Sequence, residues 1–589
     1  MDRKSFIILI IAVLVLLGMS PVLKHFYPDV PLTPEQMAAF TNASATNLPT
    51  MHAASNAVMT AASSNAPAFH FVPPAGTEQT LNVTNEDLIF QFTSYGGGIK
   101  SISLRHYPAV IRRTGPTVPG TNLAQLNSAW TAPVLSLLGP DIAGDHDFHL
   151  TQNGTVVTAE KTLTNGLRVI KEFDVGTNFL FTAHVRLQNT SARPVLVPSR
   201  ELAIGTATPI GPLDDPSTIG TFWYNGIKAQ NIKMPWFANR TLGLIPGTPR
   251  PVYQDGASNV VWVAVHNQFF TLAAIPSNTA PQVVITPIPL PVPEMMGVSN
   301  ANTPILTNGF AATLAYPSAM LAPGQSIQND FTFYAGPKEY KRLSQIGSRM
   351  NNNLDLIMDF TGPWGFFSKF LLLSMNGLNA LGLPYGLTII AITLIIKGIF
   401  WPLTRASTRS QKRMQALQPQ MQAISEKYKD DPVKKNQKTM EFMKEHKISP
   451  LGSCLPMLFQ IPVFAGFYYM LRNAIELRGV HFLWAHDLSQ PDTVGYIAGF
   501  PINILPLIMG ATQLWQSHLL PASAGVDPGQ QKMMRYMPLM FVAFFYKVSA
   551  GLTLYWTVSN LLGILQTKVT RMADEADTKS PAVVPRKAR

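Results

Sequence analysis

The sequence predicts a mixed architecture: a polytopic α-helical membrane protein with six spans that carries a large β-sandwich (supersandwich) domain. Three observations predict it. Apolar runs cluster at the amino terminus and again beyond Thr361, while short β-rich runs and turn dipeptides fill the stretch between. Only 13% of the 589 residues are charged, about half the usual share in a soluble domain. The net charge of +12 is concentrated in short segments beside the apolar runs, where cytoplasmic loops carry it. The single cysteine excludes an intrachain disulfide framework and any cysteine-cluster metal site.

Residues 1–23 are expected to form an N-terminal transmembrane anchor. Arg3 and Lys4 precede an apolar run from Phe6 to Leu23, without a small-residue cleavage pattern after it. Residues 24–78, rich in Ala, Thr, Pro, Asn and Ser, read as a flexible linker. Residues 79–335 read as the β-sandwich domain. Leu88–Phe92, Thr155–Thr158, Leu167–Phe173 and Phe179–Leu187 are strand-like, and Asn153-Gly154, Asn165-Gly166, Asp255-Gly256 and Asn308-Gly309 punctuate the domain as turns. Residues 336–383 read as a linker followed by an amphipathic interfacial helix. The run Trp364–Leu381 is interrupted by Lys369, Asn376 and Asn379, so it is expected to lie on the interface rather than span.

Residues 384–404 hold the second span, around Gly386–Leu403. Residues 405–450 carry eleven basic and five acidic residues and read as a cytoplasmic helical hairpin. Asp431-Pro432 marks a helix start within it. Residues 451–568 hold spans three to six: Leu451–Leu471, Phe500–Trp515, Met537–Val548 and Leu552–Thr567. The last two are split because one helix over Tyr536–Thr567 would measure ~48 Å, and Ser549-Ala550-Gly551 offers a turn. Residues 569–589 form a basic cytoplasmic tail. Six spans place the basic amino terminus, hairpin and tail on one side, and residues about 24–383 on the other.

Some motifs point to no chemistry. Asp145-His146-Asp147-Phe148-His149 has metal-ligating residue types, but histidines three apart face opposite sides of a strand; a solvated loop is expected. Tyr95-Gly96-Gly97-Gly98 lacks the helix-opening context of a nucleotide fingerprint and reads as a turn or bulge. His266, beside Trp262 and Phe269, reads as a packed histidine. No Walker A motif, His-Glu-x-x-His or Gly-x-Ser-x-Gly occurs. The expectation is therefore no enzyme, no cofactor, no metal and no nucleic-acid recognition site.

The informative residues are polar groups within the apolar runs. Lys397 lies in the second span with no acidic residue in the spans to neutralise it, and an intramembrane charge usually marks a pathway. The plainer reading is a lysine snorkelling to inner headgroups. Thr393 shares its helical face. Gln460, Asn503, Gln513 and Asn560 place polar groups in the other spans, and Tyr555-Trp556 precedes Asn560. Such residues serve either as helix–helix glue or as the lining of a wet cationic groove open to the cytoplasm. In the hairpin, Met414, Leu417 and Met421 form a stripe matched by Met440 and Met443. The stripe reads as a docking surface; a solvated basic loop attracted to anionic lipids is the alternative.

Several motifs carry a resemblance. They are Thr393-Leu-Ile-Ile-Lys-Gly-Ile-Phe-Trp-Pro-Leu403, Ser449-Pro-Leu-Gly-Ser-Cys-Leu-Pro456, Gln460-Ile-Pro-Val-Phe464, and Ser549-Ala-Gly-Leu-Thr-Leu-Tyr-Trp-Thr-Val-Ser-Asn560. Tyr334-Ala-Gly-Pro-Lys338 and Trp262-Val-Ala-Val-His-Asn-Gln-Phe-Phe270 extend it into the β domain. The chain resembles the YidC/Oxa/Alb family of membrane-protein insertases, in its Gram-negative branch, over almost its whole length. The resemblance implies an inner-membrane insertase and chaperone with a periplasmic β-supersandwich, an interfacial helix and five core spans around a hydrophilic groove. It implies nascent membrane proteins as substrates, with the ribosome and the Sec translocon as partners. Lys397 takes the place of the family's groove arginine, keeping charge but losing the bidentate fork. Thr393, Gln460, Tyr555 and Trp556 fall on positions implicated in the groove or its wall. Two rivals remain from other classes: a polytopic transporter of an anionic small molecule, and a sugar-processing enzyme built on the β domain.

Overall fold

The computed structural model describes residues 71, 76–111, 122–128, 132–139, 147–210, 214–239, 247–290, 308–360, 364–429, 431–446, 451–498, 500–519 and 540–579. The expected N-terminal anchor and the tail beyond 579 lie outside them. Two compact units divide between Met358 and Asp359.

The first unit is built on a nine-stranded antiparallel sheet. It runs from Ala229–Ile232 at one edge, through Trp262–His266, Phe270–Pro276 and Ser326–Pro337 in its middle, to His149–Asn153 at the other edge. A five-stranded sheet contributes Arg200–Ala207 and Asn308–Tyr316, which pack on Trp262–His266 and Phe270–Pro276. These central strands are covered on both faces, so every residue from Trp262 to His266 and from Phe270 to Pro276 is buried. Nearer the edge the alternation of a one-faced strand returns. Leu167, Val169, Lys171 and Phe173 point inward while their neighbours do not. Lys171 is the exception in chemistry: its Nζ donates to the Gly96 carbonyl and lies 4.6 Å from the centre of the Phe148 ring. The Tyr95–Gly97 segment is the expected turn. A Cβ on Gly97, at φ 54°, would fall 2.4 Å from the Phe148 ring.

Asn308-Gly309 is not a turn. Both residues begin a strand, paired with Pro289 and Ile288. Glycine is needed there because a Cβ would meet the Ala207 carbonyl oxygen at 2.7 Å, so the dipeptide records a close approach of strands. Among its described residues this unit holds the α-helices α1 (Met234–Ala238) and α2 (Tyr340–Met350). Tyr340, Leu343 and Ile346 of α2 are buried, and Trp262 Nε1 donates to the Asn352 carbonyl at 2.8 Å. Residues 336–358, expected to begin a linker, are thus packed into the β unit.

His266 is packed, as expected, though its ring partner is Phe222 at 4.8 Å. Its nitrogens lie 3.2 Å from the Asn267 carbonyl and 3.1 Å from Asn231 Oδ1. Burial, reinforced by the nearby Lys338 and Lys233, holds its pKa well below the ordinary 6.5 despite the Asn267 carbonyl. The unfolded chain therefore binds this proton more readily than the folded one. Its destabilising effect is absent above pH ~6.5 and grows as pH falls, by at most about 1.4 kcal/mol per unit. Amide exchange in the Trp262–Pro276 strands of the intact chain, corrected for intrinsic rates, is expected to be faster at pH 5 than at pH 7. Equal protection would contradict a neutral His266.

The second unit is helical: α3 (Gly365–Ala380), α4 (Tyr385–Ile399), α5 (Trp401–Ala416), α6 (Gln418–Lys427), α7 (Pro432–Glu445), α8 (Leu451–Asn473), α9 (Ile504–Leu519) and α10 (Ala550–Lys579). The Asp431 cap is present, its side chain accepting from the Lys434 amide at 3.0 Å. α3 packs on α8, with Ser368 Oγ donating to the Gly466 carbonyl at 3.1 Å.

Of the six expected apolar spans, the first lies outside the described residues, Leu451–Leu471 and Leu552–Thr567 each fall within one helix, and Gly386–Leu403 and Phe500–Trp515 do not. Among the described residues no single helix is long and apolar enough to cross a membrane. Tyr385–Ile399 and Trp401–Ser410 pass together but are bent by 57°, because the expected span 386–403 breaks at Phe400. Residues Phe500–Asn503, expected to open a span, form a strand paired with Thr493–Ile497, and the helix begins only at Ile504. At 16 residues α9 measures ~24 Å. The turn expected at Ser549–Gly551 falls at 546–549. α10 is long but diluted by Thr553, Thr557, Ser559, Asn560, Gln566 and Thr567.

Candidate functional site

These polar residues make α10 the centre of the site. α10 packs against α4, α5, α8 and α9. Its threonines satisfy themselves: Thr557, Thr567 and Thr570 donate to carbonyls one turn back at 2.7–2.8 Å. Its longer polar side chains reach other helices. Tyr555 is buried, stacks on Phe467 of α8 at 3.9 Å, and its hydroxyl accepts from Gln460 Nε2 at 2.7 Å. Trp556 Nε1 donates to Gln513 Oε1 of α9 at 2.8 Å, within a ring cluster of Phe464 and Phe545 at 4.7 and 5.0 Å. Asn560 Nδ2 donates to Thr512 Oγ1 at 3.3 Å and the Met509 carbonyl at 3.4 Å.

Five of the eight residues singled out for a groove therefore meet as interhelical pairs, with Asn560 joined to Thr512. Asn503 stands apart from that network: it precedes α9 and its Nδ2 donates to the Tyr546 carbonyl. Thr393 is buried in α4 and donates to the Ile389 carbonyl at 2.7 Å. Lys397 is half-buried one turn further on. Among the described residues no acceptor lies within hydrogen-bond or ion-pair reach of its Nζ.

Sequence reasoning missed Gln566. Its Nε2 donates to the Lys397 carbonyl at 3.1 Å, in the last turn of α4, where carbonyls lose their helical partners. This ties α10 to the bend that carries Lys397. Gln566 Oε1 and Arg405 Nε are buried without a partner among the described atoms, so hydrogen-bonding capacity stays unused beside the bend. The signal available was a second amide on an apolar helix, six positions after Asn560.

The methionine stripe is divided. Met421 is buried; Met414, Leu417 and Met443 are half-buried; Met440 is 51% exposed. α6 and α7 pack on each other, and α5 supports α6. No group of three or more metal-ligating side chains occurs among the described residues.

The Gln460–Tyr555 pair gives a test of the packing. Gln460→Leu leaves the buried Tyr555 hydroxyl unpartnered, a loss of about 1–3 kcal/mol. Tyr555→Phe in the same chain removes that orphan and is expected to restore part of the thermal stability in detergent. A double variant no more stable than Gln460→Leu alone would refute the pairing.

Residues 80–373 match the model of the YidC periplasmic domain family, and residues 377–577 match that of the 60Kd inner membrane protein family. The membrane protein insertase YidC of Bordetella avium (strain 197N) is 32% identical over 505 residues, covering 84% of this chain and 83% of that protein. That of Pseudomonas fluorescens (strain SBW25) is 32% identical over 589 residues, covering 91% and 94%. The crystal structure of an active YidC insertase with its first transmembrane domain resolved covers 85% of this chain and 95% of that chain, at 16% identity and a TM-score of 0.34.

Proposed function

Because this chain belongs to the YidC family of membrane protein insertases, we propose that it moves short polar segments of nascent inner-membrane proteins through a hydrophilic, positively charged groove and releases their apolar helices into lipid. It acts as insertase and chaperone, not as an enzyme. The observation that carries the mechanism is Lys397: a cation on an apolar helix, half-buried, with no partner among the described residues. A charge so placed asks for water or a passing anionic group. The groove shortens the apolar barrier to a polar tail, and the substrate's own apolar helix partitions sideways.

In this reading six spans cross the inner membrane. Both termini are cytoplasmic and residues about 24–383 are periplasmic, with 364–381 on the outer interface. The basic hairpin 405–450 meets the ribosome, emerging chain or anionic lipids, and the Sec translocon cooperates. Thr393, Gln460, Asn503, Gln513, Tyr555, Trp556 and Asn560 line or support the groove. The interhelical pairs favour support for Gln460, Gln513, Tyr555, Trp556 and Asn560, since their hydrogen bonds are already spent between helices.

Purified protein in vesicles is expected to insert a model membrane protein bearing a short translocated tail. The rival, an anion transporter, predicts counterflow of an anionic small molecule and no insertion. That pair of results would overturn the proposal.

A further inference from the structure

Between α8 and α9 the chain makes a small antiparallel hairpin, Thr493–Ile497 with Phe500–Asn503. Its base is pinned. Asp492 Oδ2 accepts from the Leu505 amide at 2.6 Å and from Trp484 Nε1 at 2.8 Å. On the other strand Asn503 Nδ2 donates to the Tyr546 carbonyl, and the Pro501 carbonyl accepts from the Tyr546 hydroxyl at 2.6 Å. The tip is apolar and largely exposed, with the Phe500 ring resting against Tyr546 at 5.1 Å. Val494 is 47% exposed, Tyr496 60%, Ile497 68% and Phe500 57%, and Ile497 pairs directly with Phe500.

Three observations say what covers it. The hairpin exposes large apolar side chains rather than the charges that protect natural edges. No charged residue occurs from Thr493 to Ser517, so no charge separates the hairpin from α9, where Leu507 is also exposed. α9 itself, at ~24 Å, falls short of a ~30 Å hydrocarbon core. A firmly based apolar hairpin at its first turn supplies surface where the helix runs out.

We propose that the hairpin 493–503 is a membrane-interface anchor: its Tyr496–Ile497–Phe500 tip lies among lipid headgroups and upper acyl chains at the end of α9. The depth is set by two limits. Open strand edges leave backbone groups unpaired and are not tolerated in the hydrocarbon. Tyrosine and other aromatic side chains settle at the headgroup level. The occupant is therefore the lipid interface, bound by apolar and aromatic contact rather than by charge. The inference rests on the inner-membrane placement of this unit.

The test uses the full chain with Cys454→Ser, carrying either Ile497→Cys or Val494→Cys. Each is labelled with an environment-sensitive fluorophore and reconstituted in phosphatidylethanolamine–phosphatidylglycerol vesicles. Leu394→Cys, exposed halfway along α4, serves as the membrane control, and the same fluorophore on glutathione as the aqueous limit. Both hairpin labels are expected to be quenched several-fold more by lipids spin-labelled near the headgroup than by lipids labelled near the chain end, and little by aqueous iodide. Quenching by iodide to the glutathione level would place the hairpin in water and overturn the proposal. Shielding from iodide without quenching by either lipid would mean a protein contact, and would also overturn it. If Leu394 is quenched by lipid and the hairpin labels are not, the anchor fails while the membrane placement stands. If Leu394 is not quenched either, both fail.

Discussion

Replacing residues 418–446 with a short Gly/Ser linker is expected to abolish insertion while leaving the protein in the membrane. α6 and α7 contact each other and α6 rests on α5, whereas α5 also packs on α8 and α10. Removing the outer pair therefore takes away a projecting surface without opening the bundle. That surface carries Lys427, Lys434, Lys435, Lys438 and Lys444. Val433 and Met440 are exposed on α7, giving an emerging apolar segment pliable contacts. The measurement is insertion yield in vesicles, with α4 and α10 monitored by protease protection. Wild-type yield from the deleted protein would reduce the hairpin to a basic loop attracted to anionic lipid.

The β unit was legible where one physical signal dominates. Leu167–Asp174 alternates strictly, and its strand is found almost as bounded from the sequence. The Asn-Gly dipeptides between strands read correctly wherever the chain reverses. Asn308-Gly309 failed because glycine serves two purposes, turning a chain and letting two strands approach, and local sequence does not separate them. Trp262–His266 shows no alternation because both of its faces are covered, so hydropathy leaves its register open, and pairing with Gly220–Tyr224 and Phe270–Pro276 decides it. The same is true of 336–358, whose place in the β unit depends on Trp262 reaching Asn352.

In the helical unit the hydropathy runs were legible, but the breaks within them were not. The bend at Phe400 lies inside a continuous apolar run, and Phe500–Asn503 is as apolar as the helix it precedes. A hydropathy average records burial and does not distinguish a strand from a helix over four residues. For the candidate site, residue type singled out polar groups on apolar helices, while their partners came only from the fold. Gln460 and Tyr555 are 95 residues apart. Gln566 and Lys397 are 169 apart, so nothing local could have tied Gln566 to the bend.

Lys397→Ala is expected to lose insertion, and to lose it most for substrates with acidic translocated tails, whereas Lys397→Arg retains it. An unpaired charge at the centre of a bilayer meets a barrier of ~2.5–3.5 kcal/mol on insertion scales, and a nearby cation in a wet site offsets part of it. Removing 1.4 kcal/mol of that offset lowers the relevant rate by about tenfold. A neutral tail has no charge for Lys397 to meet and loses only the water that the cation holds. The split between the two tails, rather than the fall in either, is therefore the diagnostic quantity. Arginine supplies the same charge, so its retention separates electrostatics from shape. Gln566→Leu should act in the same direction but more weakly, since it loosens the turn that positions Lys397 and leaves the charge in place. Insertion yields for matched neutral and acidic tails, compared across the wild type and the three variants, make the test. Equal losses on both tails in the alanine variant would leave Lys397 a snorkelling anchor for α4, and the groove's cation would have to be sought elsewhere.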